Sequence, residues 1–136
     1  MKQLIIVDPM YVHQVWDTVK PFFDASYAES SGDCTVEQLK LLLSRGSQTL
    51  FAIVDDEKTI GAFAVEIVNH PNSRSAQTTA MGGKDVFTPE LIAQYESWAK
   101  SQGATKIRAY AKEAQARLYK QKLGLDSTYY VVEKTI

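Results

Sequence analysis

Two apolar runs, Leu50 to Val54 and Ile60 to Val68, are separated by little more than the charged stretch Asp55 to Lys58. Short apolar runs split by a polar turn read as two strands of a β-hairpin, and the second is long enough to cross a sheet. This hairpin places antiparallel sheet in the middle of the chain. The remaining segments are read around it.

Before the hairpin, Leu4-Ile5-Ile6-Val7 is a brief apolar run closed by Asp8-Pro9, which reads as a strand. The period then changes: Val12, Val15, Trp16, Val19, Phe22 and Phe23 recur at three- and four-residue spacing and mark one face of a helix. Pro21 is expected to kink or stop it. Thr35 and Gln38 form a capping box ahead of Leu39, Leu42 and Leu43, a second helix that ends at Arg45-Gly46.

After the hairpin, His70 to Ser75 is turn-rich, and Ala76 to Met81 is a weaker strand ending in Gly82-Gly83. Thr88-Pro89-Glu90 starts a helix with a threonine cap, proline where no amide hydrogen is missed, and an acid complementing the dipole. Leu91, Ile92, Tyr95, Trp98 and Ala99 give its buried face, and Gly103 ends it. Lys106 to Ala111 alternates as a strand, Glu113 to Lys122 is helical with Gly124 as its cap, and Tyr129 to Val132 belongs to a closing strand. The order is β-α-α-β-β-β-α-β-α-β.

The 136 residues are the length of one ordinary domain, and no linker or repeat divides them, so residues 1–136 are read as a single domain. With 45% hydrophobic and 23% charged residues the chain can bury a core. Fifteen basic against sixteen acidic side chains give a net charge of -1, without the basic excess of a phosphate-backbone binder, so nucleic acid is not an expected partner. No apolar run approaches the ~20 residues that span a bilayer, and no charged-then-apolar leader opens the sequence. A cytoplasmic protein without a membrane partner is the expectation. Cys34 is the only cysteine and the two histidines, His13 and His70, lie far apart, so no metal site is expected.

The second half carries a more specific pattern. Ala116 to Leu125 reads Ala-Arg-Leu-Tyr-Lys-Gln-Lys-Leu-Gly-Leu, and the helix Pro89 to Gln102, with Trp98-Ala99-Lys100, leads through Gly103 into the strand Lys106 to Ala111. In these residues, and in element order over the first half, the chain resembles the GCN5-related N-acetyltransferases (GNAT). The resemblance implies a GNAT-like α/β (α+β) fold, with a mixed, mostly antiparallel central sheet flanked by helices. It also implies transfer of an acetyl group from acetyl-CoA to an amine.

In that fold the coenzyme's pyrophosphate meets the junction of the fourth strand and the central helix, where helix-start amides and the dipole favour an anion. The family builds this loop as Arg or Gln, two residues, Gly, one residue, then Gly or Ala. The corresponding positions here hold Gly83, Val86 and Thr88, and none matches. Glycine lets the backbone approach phosphate closely, which β-branched Val86 does not. Met81, Gly82, Gly83, Lys84, Val86 and Thr88 are nevertheless the residues that the resemblance assigns to the cosubstrate, Gly82 and Gly83 through a rearranged loop and Lys84 through its charge. Short phage-encoded proteins are similar in this departure. That likeness implies an alternative, a catalytically inactive GNAT-like phage protein that binds or builds structure.

Tyr119 falls where the family keeps a tyrosine near the coenzyme thiol, which implies a general acid; the competing reading is a helix tyrosine packing on the sheet. Glu66, an acid in an otherwise apolar strand, is the candidate base, since burial would raise its pKa toward the working range; the competing reading is the solvated face of an alternating strand. His13, His70 and Cys34 are read as structural or solvated residues. Lys106, Arg108, Lys112, Arg117, Lys120 and Lys122 form either a solvated face or a patch for phosphates. Tyr129 to Val132 is core alternation, an exposed edge or a dimer strand, so a homodimer is a possible assembly.

Overall fold

A computed structural model describes every residue but 29 and 31. Strand β1, Lys2–Val7, leads through a 3-10 turn, Pro9–Tyr11, into helix α1, Val12–Tyr27. Helix α2 is Val36–Ser44, and strands β2, β3 and β4 are Thr49–Asp55, Lys58–His70 and Ser73–Gly82. Helix α3, Pro89–Ser101, strand β5, Lys106–Ala109, and helix α4, Glu113–Leu123, follow. The five strands lie side by side in chain order, antiparallel from β1 to β4 and parallel between β4 and β5.

Local chemistry explains most boundaries. The central hairpin turns on Asp56 and Glu57, both in the left-handed region at φ 49° and 68°, as a two-residue turn matched to strand twist requires. Thr35 Oγ1 accepts from the Gln38 amide at 3.1 Å while Gln38 Oε1 accepts from the Thr35 amide at 2.9 Å, closing the capping box. Thr88 Oγ1 accepts from the Leu91 amide at 3.2 Å at the start of α3.

Alternation in the strands then builds two cores. On one face Leu50, Ala52, Ala62, Ala64 and Ala80 pack beneath Val12, Trp16, Val19 and Phe23 of α1 and Leu39 and Leu43 of α2. On the other, Phe51, Ile53, Phe63 and Val65 pack beneath Leu91, Tyr95 and Ala99 of α3. The rings of Phe51 and Phe63 stack at 4.7 Å, and Tyr95 meets both edge-on at 5.6 and 5.3 Å. This is a favourable arrangement for aromatic quadrupoles.

Three expectations are corrected. Pro21 does not end α1, which continues to Tyr27. Pro21 and Asp17 both face solvent, so the Asp17 carbonyl left without an amide partner is open to water, while the apolar stripe holds the helix down. Strand β4 begins at Ser73 rather than Ala76, because the turn after His70 takes only residues 71 and 72. The closing strand expected over Tyr129 to Val132 is absent: no strand follows α4 among the described residues, and Tyr130 and Val132 are 95% and 88% exposed. Strand propensity in a sequence is realised only against a partner edge, and this segment pairs with none.

Phe51→Ala is expected to cost about 3–5 kcal/mol, the range for emptying a buried aromatic site, whereas Tyr130→Ala should stay within about 0.5 kcal/mol. Urea denaturation of the two variants measures the contrast.

Candidate active site

The geometry that matters begins where β4 and β5 part. Their parallel pairing covers only Ser75 to Thr78 against Lys106 to Ala109, after which β4 runs on alone to Gly82. The opening between them is an apolar groove floored by Phe63, Thr78, Met81 and Tyr95 and walled by Phe87 and by Tyr119 of α4. Its free volume is about 40 Å³, far below the several hundred Å³ of an open ligand cleft. It must widen to admit an extended ligand.

Helix α4 projects Tyr119 and Leu123 into the groove. The Tyr119 hydroxyl points at Met81 Sδ, 4.0 Å away, and burial raises the phenol above its ordinary value, so it holds its proton at neutral pH. Tyr119 and Met81, both singled out in the sequence, are therefore brought together. The α4 helix has no fully buried residue, and the groove contacts are its main apolar anchor.

Glu66 lies on the opposite face of the sheet. It shares a face with Ala64 two residues earlier, and Gln48 Nε2 donates to its Oε2 at 3.4 Å. Gln48 Oε1 in turn accepts from Thr79 Oγ1 at 2.6 Å. Thr79 is the extra residue of a β-bulge, left unpaired where Ala64 faces Ala80 and Val65 faces Thr78. The bulge turns Thr79 toward the polar strip while Thr78 and Met81 stay on the groove. Glu66, Gln77 and Arg108 are register neighbours across β3, β4 and β5, and Arg108 Nη1 lies 3.5 Å from His70 Nε2. The candidate acid and base thus sit on the two faces of the sheet.

The loop after β4 departs from a phosphate cradle for a visible reason. A Cβ on Gly82 would run into the Phe22 carbonyl of α1, and one on Gly83, at φ 119°, would sit 2.8 Å from the Ile60 carbonyl. These glycines are needed for close packing against α1 and β3. Val86 is buried against Gly61 and Gly83 in the core beneath α3, Thr88 caps α3, and Lys84 is exposed at the loop's surface.

Sequence reasoning missed two features, the Tyr95 hydroxyl and the Asp85–Lys122 pair. Tyr95 reads as an ordinary core residue of α3, yet its hydroxyl is buried on the groove floor with no hydrogen-bond partner among the described residues. Thr78 stands beside it without forming a bond of accepted geometry. Asp85 and Lys122 form an ion pair of 2.7 Å joining the loop to α4. Phe87, on the loop, reaches the groove and packs on Phe63 at 5.4 Å. A wider cleft of about 340 Å³, bordered by Val7, Asp8, Gln48, Thr49 and Trp98, lies at the other end of the sheet. Its one acid, Asp8, is taken up by the Met10 amide at 3.0 Å. Among the described residues no group of His, Cys, Asp and Glu side chains is placed to hold a metal, and no described helix is long and apolar enough to cross a membrane.

A scan against protein-family models gives no match. No curated protein matches at the level of sequence. Solved structures do match over nearly the whole chain. An aminoglycoside N-acetyltransferase in complex with CoA superposes with a TM-score of 0.70 at 14% identity, covering 100% of this chain and 95% of that one. An aminoglycoside acetyltransferase from an uncultured soil metagenomic sample, in complex with sisomicin, gives 0.69 at 12% identity, with 99% and 96% covered. A predicted acetyltransferase from Clostridium acetobutylicum with acetyl-CoA gives 0.67 at 15% identity, with 99% and 96% covered. At such identities the likeness is one of fold: the chain has a GNAT-like fold.

Gly82→Ala is expected to lower stability by about 1–3 kcal/mol or more, the cost of overpacking a tight contact. A thermal melt of that variant beside wild type measures it.

Proposed function

We propose that this protein is an acetyltransferase that moves the acetyl group of acetyl-CoA to an amine. The observation that carries the reading is a proton-bearing phenol, Tyr119, half-buried in an apolar groove at the parting of β4 and β5. Bound there, acetyl-CoA supplies an activated acetyl thioester. The groove residues fit an extended arm: its walls are apolar, and the stranded Tyr95 hydroxyl offers an amide-bearing ligand a hydrogen bond that the protein leaves open. A buried polar group without a partner costs free energy that a ligand can restore.

Tyr119 acts as general acid, delivering its proton to the departing thiolate. Glu66, across the sheet beside Gln48 and Gln77, takes up the proton that the acceptor amine releases, directly or through water. The amine approaches from the polar strip on the face that carries α1 and α2. The break in pairing beyond Thr78 gives the two faces a common opening.

A second reading draws on the loop. Val86 is core, Phe87 lies in the groove, and Gly82 and Gly83 are committed to packing. These features favour a catalytically inactive GNAT-like protein that binds or builds structure, and the same measurements separate the two.

Saturating CoA should raise the melting temperature, by an amount that grows with the ratio of ligand to Kd; neither a shift nor heat of binding would leave only the second reading. Tyr119→Phe should lower kcat about 100-fold, within the range for a general acid, with CoA affinity little changed. Steady-state kinetics and calorimetry on that variant read both quantities. Tyr95→Phe should leave the melting temperature of the free protein unchanged or raised, since it removes an unsatisfied hydroxyl, while weakening CoA about tenfold, the worth of roughly one hydrogen bond.

A further inference from the structure

The loop that connects β4 to α3 gathers positive charge around a single carboxylate. Lys122 of α4 donates to Asp85 Oδ1 at 2.7 Å, and Lys2 of β1 donates to the Asp85 carbonyl at 3.0 Å. The charged groups that act on the Asp85 carboxyl are all lysines, Lys122, Lys84 and Lys2, and they hold it below the usual carboxylate range. Three ammonium groups act on this one carboxylate, and Lys2 also stands opposite Asp55 in the register of β1 and β2. The ends of this bridge belong to the two walls of the groove, since Asp85 lies between Met81 and Phe87, and Lys122 lies between Tyr119 and Leu123.

An apolar slot whose neighbouring loop gathers lysines suits a ligand that has an anionic head and an uncharged arm. The bridge joins the loop that carries Phe87 to the helix that carries Tyr119 and Leu123. It is solvent-exposed, with side chains 53% and 77% accessible, so its ions remain hydrated and exchange partners at small cost. Asp85 holds φ 48°, a conformation that a residue with a side chain adopts at some expense. Helix α4, which has no fully buried residue, is of the kind that opens locally with little loss.

We infer that Lys122 is the principal phosphate-binding residue of the cosubstrate site, that Lys2 and Lys84 support it, and that the Asp85 carboxylate is an internal stand-in for the phosphate which the ligand displaces. This inference rests on the acetyltransferase reading for the identity of the ligand. It assigns to lysine side chains the role that backbone amides cannot take in this loop, where Gly82 and Gly83 are packed against α1 and β3 and Val86 is buried. A lysine meets a diphosphate as a mobile point charge and so needs no fixed cradle. Displacing Asp85 from Lys122 also unties α4 from the loop, which lets the narrow groove widen as the head group docks. Two of the other basic residues of the α4 region have engagements of their own: Arg117 lies 3.6 Å from Glu113, and Arg108 lies beside His70.

The test uses calorimetry with three probes: CoA, pantetheine as the arm without phosphate, and inorganic pyrophosphate as the head without an arm. Lys122→Gln should weaken CoA about tenfold, the scale of one lost charge-assisted contact, flatten the salt dependence of CoA binding, and leave pantetheine binding no weaker than in wild type. Asp85→Asn keeps a residue that tolerates the left-handed backbone and removes the internal competitor, so it should tighten CoA several-fold. Both positions are exposed, and unaltered melting temperatures would show that the variants fold. Equal CoA affinity in Lys122→Gln and wild type, or equal weakening of CoA and pantetheine, overturns the inference while the acetyltransferase reading stands. Pyrophosphate binding that disappears in Lys122→Gln, in a protein that ignores CoA, upholds the anion site and removes the acetyltransferase reading. A wild-type protein that takes up neither CoA nor pyrophosphate removes both.

Discussion

The candidate site depends on the short parallel contact between β4 and β5. The strands pair over Ser75 to Thr78 and then diverge, since β5 stops at Ala109 while β4 continues to Gly82. A sheet that parts in this way exposes polar backbone along two edges, and it is stable only because its faces are strongly anchored elsewhere. The anchors are the aromatic stack of Phe51, Phe63 and Tyr95 on one face and the α1 stripe of Trp16, Val19 and Phe23 on the other. The stable half of the sheet allows the other half to open.

The same division separates rigid from yielding parts. Helices α1, α2 and α3 each bury residues completely, whereas α4 buries none and is tied to the body by the groove contacts and the Asp85–Lys122 bridge. Local stability follows buried apolar contact, so the element that carries Tyr119 is also the one most easily displaced. A groove of about 40 Å³ is coherent with this arrangement.

Much of the fold was legible in the sequence because its causes are local. The hairpin turn, the Thr35–Gln38 box, the Thr88 cap and the left-handed Gly124 each depend on residues within a few positions of one another. The apolar stripe of α1 was equally plain, and only the reach of the helix past Pro21 was misjudged. That depended on which side of α1 faces water. The closing strand over Tyr129 to Val132 failed for the complementary reason, because its composition suits a sheet but no edge receives it. Of the candidate site, Tyr119 was singled out through its motif, and its place against Met81 adds a geometry that the motif does not contain.

What the sequence determined by itself was therefore most of the elements, with their caps and turns, and enough apolar residues to bury a core. The tertiary structure alone decided which residues meet around the groove and the loop after β4. Gly82 is needed because the Phe22 carbonyl, sixty positions earlier, lies against it; the Tyr95 hydroxyl is stranded because the groove opens above it; and Lys2, Lys84 and Lys122 meet around Asp85 from three separate elements. Local structure follows from short-range sterics and hydrogen bonds, which neighbouring residues carry. The site follows from contacts between residues distant in the chain, which take their positions only once both faces of the sheet are packed.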